Sequence, residues 1–159
     1  MNEAEFTDFY QSTFSALVRQ IYVATGDATR AEECVQEAFV RAWMKRRNLQ
    51  ASEPRRWVSQ VAWRLAIDSW RASERERRAL GRATKERSPQ STPPVSLQEF
   101  AQELSVLTEE DRAVLILRHF EDLSIADVAE LLNLPIGTVK SKLFRATEKL
   151  SKERIFTLE

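Results

Sequence analysis

The sequence predicts an all-α protein built from two small helical domains joined by a flexible linker. Apolar residues recur at spacings of three and four along the chain, and nothing sustains the period-two alternation of a strand. A Pro- and Ser-containing stretch poor in large apolar residues divides the 159 residues into two parts. That length suits one ordinary domain or two small ones.

Phe6, Phe9, Tyr10, Phe14, Leu17, Val18 and Ile21 mark the first helix. Gly26, suited to the left-handed conformation after a helix, ends it, and Asp27 is placed to cap the next. The second helix carries Ala31, Val35, Ala38, Phe39, Ala42 and Trp43 on one face. A turn region from about Asn48 to Pro54 follows, then a third helix that starts near Arg55 and fades into a run of charges. Between Gly81 and Ser96 lie Ser88, Pro89, Ser91, Thr92, Pro93 and Pro94, and adjacent prolines block helix propagation in favour of extended chain. Beyond them Ser96 with Glu99, Thr108 with Asp111 and Ser124 with Asp127 resemble capping boxes, so the second half reads as several short helices. The expected boundaries are 1–80, a linker over 81–95, and 96–159.

Composition removes several function classes. The lone Cys34 forms no internal disulfide, and the longest uninterrupted apolar run, residues 113–117, is far short of a membrane span. The first ten residues carry Glu3, Glu5 and Asp8 and no export signal, so a cytoplasmic protein without membrane contact of its own is expected. His119 and Cys34 lack metal-ligand or nucleophile–base spacing, and Gly26, Gly81 and Gly137 build no phosphate loop, so neither an enzyme nor a cofactor or metal is expected.

Lys plus Arg and Asp plus Glu number 24 each, and the zero net charge conceals blocks. Residues 1–40 carry a net −5, 41–87 a net +9, 88–134 a net −7 and 135–159 a net +3. Cations gathered this way are either a solvated helix face or a phosphate-contacting surface.

Two motifs favour the surface. Residues 124–146, SIADVAELLNLPIGTVKSKLFRA, have the spacing of two helices meeting at a sharp turn. Ile125, Val128, Ala129 and Leu132 form one apolar face, Asn133 tolerates the left-handed turn, Leu134 plugs the corner and Pro135 helps to open the second helix. There Val139, Leu143, Ala146 and Leu150 fall within about a 60° arc at 100° per residue. On the opposite side Thr138, Ser141, Lys142, Arg145 and Lys149 make a polar, basic stripe of the kind that enters a DNA major groove. Residues 57–71, WVSQVAWRLAIDSWR, place Trp57, Val58, Val61, Ala62 and Leu65 on a core face, with Trp63, Ile67 and Trp70 roughly opposite, among Arg56, Gln60 and Arg71. Outward aromatics among guanidinium groups suit single-stranded nucleic acid, where bases stack on rings and cations follow phosphates; burial of these tryptophans by neighbouring helices is the alternative. Lys45, Arg46, Arg47 and Arg55 add basic loop at the same end, and Arg75, Arg77, Arg78, Arg82, Lys85 and Arg87 trail the helix.

Across both halves, the chain resembles the extracytoplasmic-function sigma factors, bacterial sigma factors that have only regions two and four. AEECVQEAFVRAW, residues 31–43, resembles the region-two helix that docks on core RNA polymerase. The resemblance implies that Glu33, Gln36 and Glu37 face polymerase while Val35, Phe39 and Trp43 face inward. Residues 57–71 resemble the part that opens and reads the minus-ten element, and the loop before them one that captures a flipped base, a step whose stacking cost a pocket and cations offset. Arg56, Trp63, Arg64, Ile67, Trp70 and Arg71 are the implied minus-ten contacts. Where members commonly have Arg-Asn, this chain has Trp63 and Arg64, while Asp68 and Arg71 fit. Residues 107–150 match region four, and the minus-thirty-five contacts implied are Thr138, Lys140, Ser141, Lys142, Phe144 and Arg145, with Lys140 and Lys142 suited to phosphates. Phe144 has a second arrangement open to it, against the preceding helix.

Implied partners are core RNA polymerase, promoter DNA as duplex and melted non-template strand, and an anti-sigma factor of the kind that often holds family members inactive. A stand-alone DNA-binding regulator would share the helix-turn-helix but needs neither the basic aromatic helix nor a polymerase-docking one.

Overall fold

The computed structural model describes residues 1–49, 53–80 and 92–152. Among them are seven helices and no strand: α1 (Glu3–Thr25), α2 (Ala28–Met44), α3 (Pro54–Leu80), α4 (Val95–Leu104), α5 (Glu109–His119), α6 (Ile125–Leu132) and α7 (Ile136–Lys152). The expected turn residues 50–52 and linker residues 81–91, with Arg82, Lys85 and Arg87, lie outside the described residues. Contacts divide the chain into two compact units, Met1–Arg19 with Asp27–Thr92, and Gln20–Gly26 with Pro93–Glu159. The last six residues of α1, Gln20–Thr25, thus group with the second unit.

In the first unit α2 packs along α3. Ala31, Ala38 and Ala42 of α2 and Ala62 and Ala66 of α3 are essentially inaccessible, and such small side chains let two helix backbones approach closely. An aromatic cluster closes the α1 side. Phe39 sits edge-on to Tyr10 at 5.0 Å and to Phe6 at 6.2 Å, and Phe6 is edge-on to Trp43 at 5.0 Å, the arrangement that ring quadrupoles favour. Gly26, at φ +73°, makes the sharp exit from α1, and Asp27 caps α2 by accepting from the Arg30 amide at 3.0 Å.

In the second unit α5, α6 and α7 pack on one another. Thr108 accepts from the Asp111 amide at 3.2 Å and Ser124 from the Asp127 amide at 3.0 Å, so both hydroxyls cap as expected. Ser96 does not. The helix starts two residues earlier than a Ser96 cap would set it, at Val95, because the Pro94 carbonyl, on extended backbone at ψ 148°, already accepts from the Leu97 and Gln98 amides at 3.0 Å each. The α6–α7 corner is built on Asn133, left-handed at φ 55°, ψ 51°, whose amide donates back to Ala129 and Glu130; the Leu134 amide closes the turn onto the Ala129 carbonyl at 2.9 Å. A second left-handed residue, Asp122 at φ 55°, shapes the α5–α6 connection.

Candidate functional site

The residues expected to function fall on three surfaces. The first is the outer face of α2. Val35 and Phe39 are buried, whereas Glu33, Gln36 and Glu37 are exposed. Glu37 accepts from Arg41 Nε at 3.1 Å, a solvent-exposed pair one turn apart. At 100° per residue Glu33, Gln36, Glu37, Val40 and Met44 fall within about a 100° arc. Val40 is 48 % and Met44 76 % exposed, so an apolar centre stands beside the acids. Sequence reasoning fixed on the acids and missed these two, although they continue the same stripe.

The second surface lies where α2 ends and α3 begins. Lys45, Asn48, Glu53, Arg56, Trp57 and Gln60 line a cleft of about 330 Å³. The Trp57 ring is half-buried, with the Lys45 ammonium 5.9 Å from its centre, and Arg56 is exposed at the rim. Behind the cleft the Arg46 guanidinium stacks on Trp43 at 3.8 Å and donates Nη1 to the Trp43 carbonyl at 2.9 Å, which fixes the end of α2. Hydrogen-bonding side chains, two cations and an aromatic face are the components that hold an unstacked base beside its phosphate.

Along α3 the expected orientation needs correction. Trp63 is 1 % exposed and Ile67 is buried, so neither reaches a ligand from this fold. The buried stripe is Val58, Ser59, Ala62, Trp63, Ala66 and Ile67; it keeps Val58 and Ala62 of the expected core face but is centred about 120° away from that face, and Trp57, Val61 and Leu65 are only half-buried. The reason is α2: helix–helix approach selects the small Ser59, Ala62 and Ala66, and the bulky Trp63 and Ile67 fill the flank of that seam. Arg64 is exposed, and Trp70 and Arg71 are half-buried.

The third surface is α7. Val139, Ala146 and Leu150 are buried, and Lys140, Ser141, Phe144 and Arg145 project outward, Phe144 at 69 % exposure. Phe144 therefore does not pack on the preceding helix. Ser141 donates its hydroxyl to the Gly137 carbonyl at 3.0 Å, which leaves oxygen lone pairs for an incoming donor. Thr138 is half-buried. Lys142 departs from the expected stripe: its Nζ lies 3.2 Å from Glu110 Oε1 and 3.4 Å from Asp111 Oδ1, because it leans toward α5 at the edge of the core arc.

The family descriptions "Sigma-70 region 2" and "Sigma-70, region 4" match residues 9–76 and 97–150. The ECF RNA polymerase sigma factor SigL of Mycobacterium tuberculosis is 32 % identical over 149 residues, covering 89 % of this chain and 84 % of its own. The chain belongs to the extracytoplasmic-function sigma factors. SigW of Bacillus subtilis, another ECF RNA polymerase sigma factor, is 27 % identical over 94 % of this sigma factor and 87 % of its own length. The fold of this sigma factor is also that of RpoE from Bartonella quintana, solved with the anti-sigma factor NepR, at a TM-score of 0.69 and 24 % identity over 93 % of this chain and 95 % of that one. Among the described residues no helix is long and apolar enough to cross a membrane.

Proposed function

We propose that this sigma factor joins core RNA polymerase through the α2 face of Glu33, Gln36, Glu37, Val40 and Met44, and directs it to promoters through α3 and α7. The apolar centre with a charged rim on α2 has the anatomy of a protein-binding patch. The cleft at Trp57, with Arg56, Arg64, Trp70 and Arg71, serves the minus-ten element, Trp57 replacing Trp63 as the stacking ring. Lys140, Ser141, Phe144 and Arg145, with Thr138 beside them, serve the minus-thirty-five element. Arg145 is suited to guanine acceptors, Phe144 to a thymine methyl and Lys140 to phosphate.

The observation that carries the assignment is the exposed Ser141, Phe144 and Arg145 stripe on a helix fixed by the Asn133 turn. In functional terms residues 1–80 act on polymerase and melted DNA, 96–159 on duplex DNA, and 81–95 as the tether between them. The protein acts by binding rather than catalysis, in the cytoplasm where polymerase and promoter reside. An anti-sigma protein, such as the NepR found with RpoE in the Bartonella quintana structure, would silence it by covering the α2 face.

Run-off transcription with core bacterial enzyme plus this chain on genomic fragments is the test. Discrete start sites that need both components are expected. Absence of any promoter-specific transcript, with the chain folded, contradicts the proposal.

A further inference from the structure

We infer that Lys142 is a positioning residue that bolts the recognition helix to α5, rather than a contact to DNA; the inference rests on the reading of α7 given above. Its ammonium reaches two carboxylates at once, Glu110 at 3.2 Å and Asp111 at 3.4 Å, and the three side chains are only 18 %, 20 % and 17 % exposed. An ion pair that far out of water is not the loose surface kind, because breaking it leaves charge in a poorly solvated place. With two of its three N–H groups turned to the acids, the Lys142 ammonium has its charge already compensated, and a phosphate would have to compete with both carboxylates for it. The acids stand on a firm base: Thr108 caps the same turn through the Asp111 amide, and the helix behind them buries Ala113, Val114, Leu115, Ile116 and Leu117.

Position on the helix gives the pair its consequence. Relative to Val139, Lys142 lies about 60° to one side of the core arc at 100° per residue. Core packing at Val139, Ala146 and Leu150 sets how close α7 lies, but apolar contacts are not directional and resist rotation about the helix axis weakly. A charge-assisted bond on one flank fixes that rotation. Ser141 precedes Lys142, and Arg145 follows one turn on, so the aim of both depends on it. Base readout demands that aim, since a misdirected fork loses both of its hydrogen bonds.

Reversing the charges separates positioning from contact. With the full chain and core enzyme on a promoter mapped by run-off transcription, Lys142→Glu should lower transcript yield by about tenfold or more, as expected for breaking a largely buried pair. Glu110→Lys combined with Lys142→Glu should bring yield back to within about threefold of wild type, as interacting pairs do in double-mutant cycles. The urea midpoint of the free chain should fall and recover in parallel. Lys142→Met, which keeps the stem and folds without the charge, should leave the slope of log affinity against log salt unchanged, whereas loss of a phosphate contact lowers it by about one. A double variant that regains its urea midpoint yet transcribes as poorly as Lys142→Glu overturns the inference, as does a slope reduced by one in Lys142→Met. A wild-type chain with no promoter-specific transcript removes the functional reading itself, and is distinguished by preceding any substitution.

Discussion

The ammonium of Lys45, just past the last turn of α2, lies 5.9 Å from the centre of the Trp57 ring in the first turn of α3. A cation over a ring face is held electrostatically, and here it spans the cleft that Arg56 and Gln60 also line. An unstacked base and its phosphate offer the same two groups new partners. Trp57→Ala should therefore weaken capture of a fluorescent single-stranded minus-ten oligonucleotide by the complex with core enzyme by about 1–3 kcal/mol. Trp57→Phe should retain most of the affinity. Equal binding by the alanine variant would remove the ring from the site.

Trp63 is expected to matter for folding instead. It is fully buried, and its indole Nε1 has no hydrogen-bond partner among the described residues. Trp63→Ala should cost about 3–5 kcal/mol in urea unfolding, the range for emptying a large aromatic site. Trp63→Phe fills much of the space and removes the unpaired N–H, so it should cost much less and still support transcription. Normal stability with lost promoter opening in the phenylalanine variant would return Trp63 to the DNA.

These two tryptophans show where sequence is legible and where it is not. Gly26, Asp27, Thr108, Ser124 and Asn133 were readable because each solves a local problem, a left-handed backbone or an orphan amide, with its own chemistry. The helical wheel of α3 shows two apolar arcs but not which one meets α2. The usable signal was the ladder of small residues, Ser59, Ala62 and Ala66, rather than the large aliphatics Val61 and Leu65. Lys142 was unreadable for a similar reason, since its acid partners lie 31 and 32 residues away and meet it only after α5 and α7 pack. Ser96 failed as a cap because the Pro94 carbonyl, two residues before it, had already started the helix.

On α7, Arg145→Ala should relax selectivity at one position of the minus-thirty-five element, with a cost of about 1–3 kcal/mol on the preferred base. Lys140→Ala should weaken all sequences alike and lower the salt slope by about one. Binding of single-base promoter variants at several salt concentrations measures both. A uniform loss from Arg145→Ala would reassign that side chain to the phosphate backbone.

Burial pushes the Cys34 thiol up to about 11. The neutral form is the one the folded chain accommodates, so the sign is fixed. Stability is intact below the unfolded thiol value of 9.0 and falls as pH rises through the folded one, by at most about 1.4 kcal/mol per pH unit. Urea unfolding between these two values, compared with Cys34→Ala, isolates this contribution from other groups that titrate there. Wild type should lose stability relative to Cys34→Ala as pH increases. A constant difference would contradict burial of the thiol in the first unit.

Nuclease footprinting of a mapped promoter with chain alone, core polymerase alone and both together addresses the central claim most directly. Protection of two separate elements, at minus thirty-five and minus ten, is expected only when both are present. The same protection by the chain without polymerase, or none with it, would contradict an account in which one helical face recruits the polymerase and two others read its promoter.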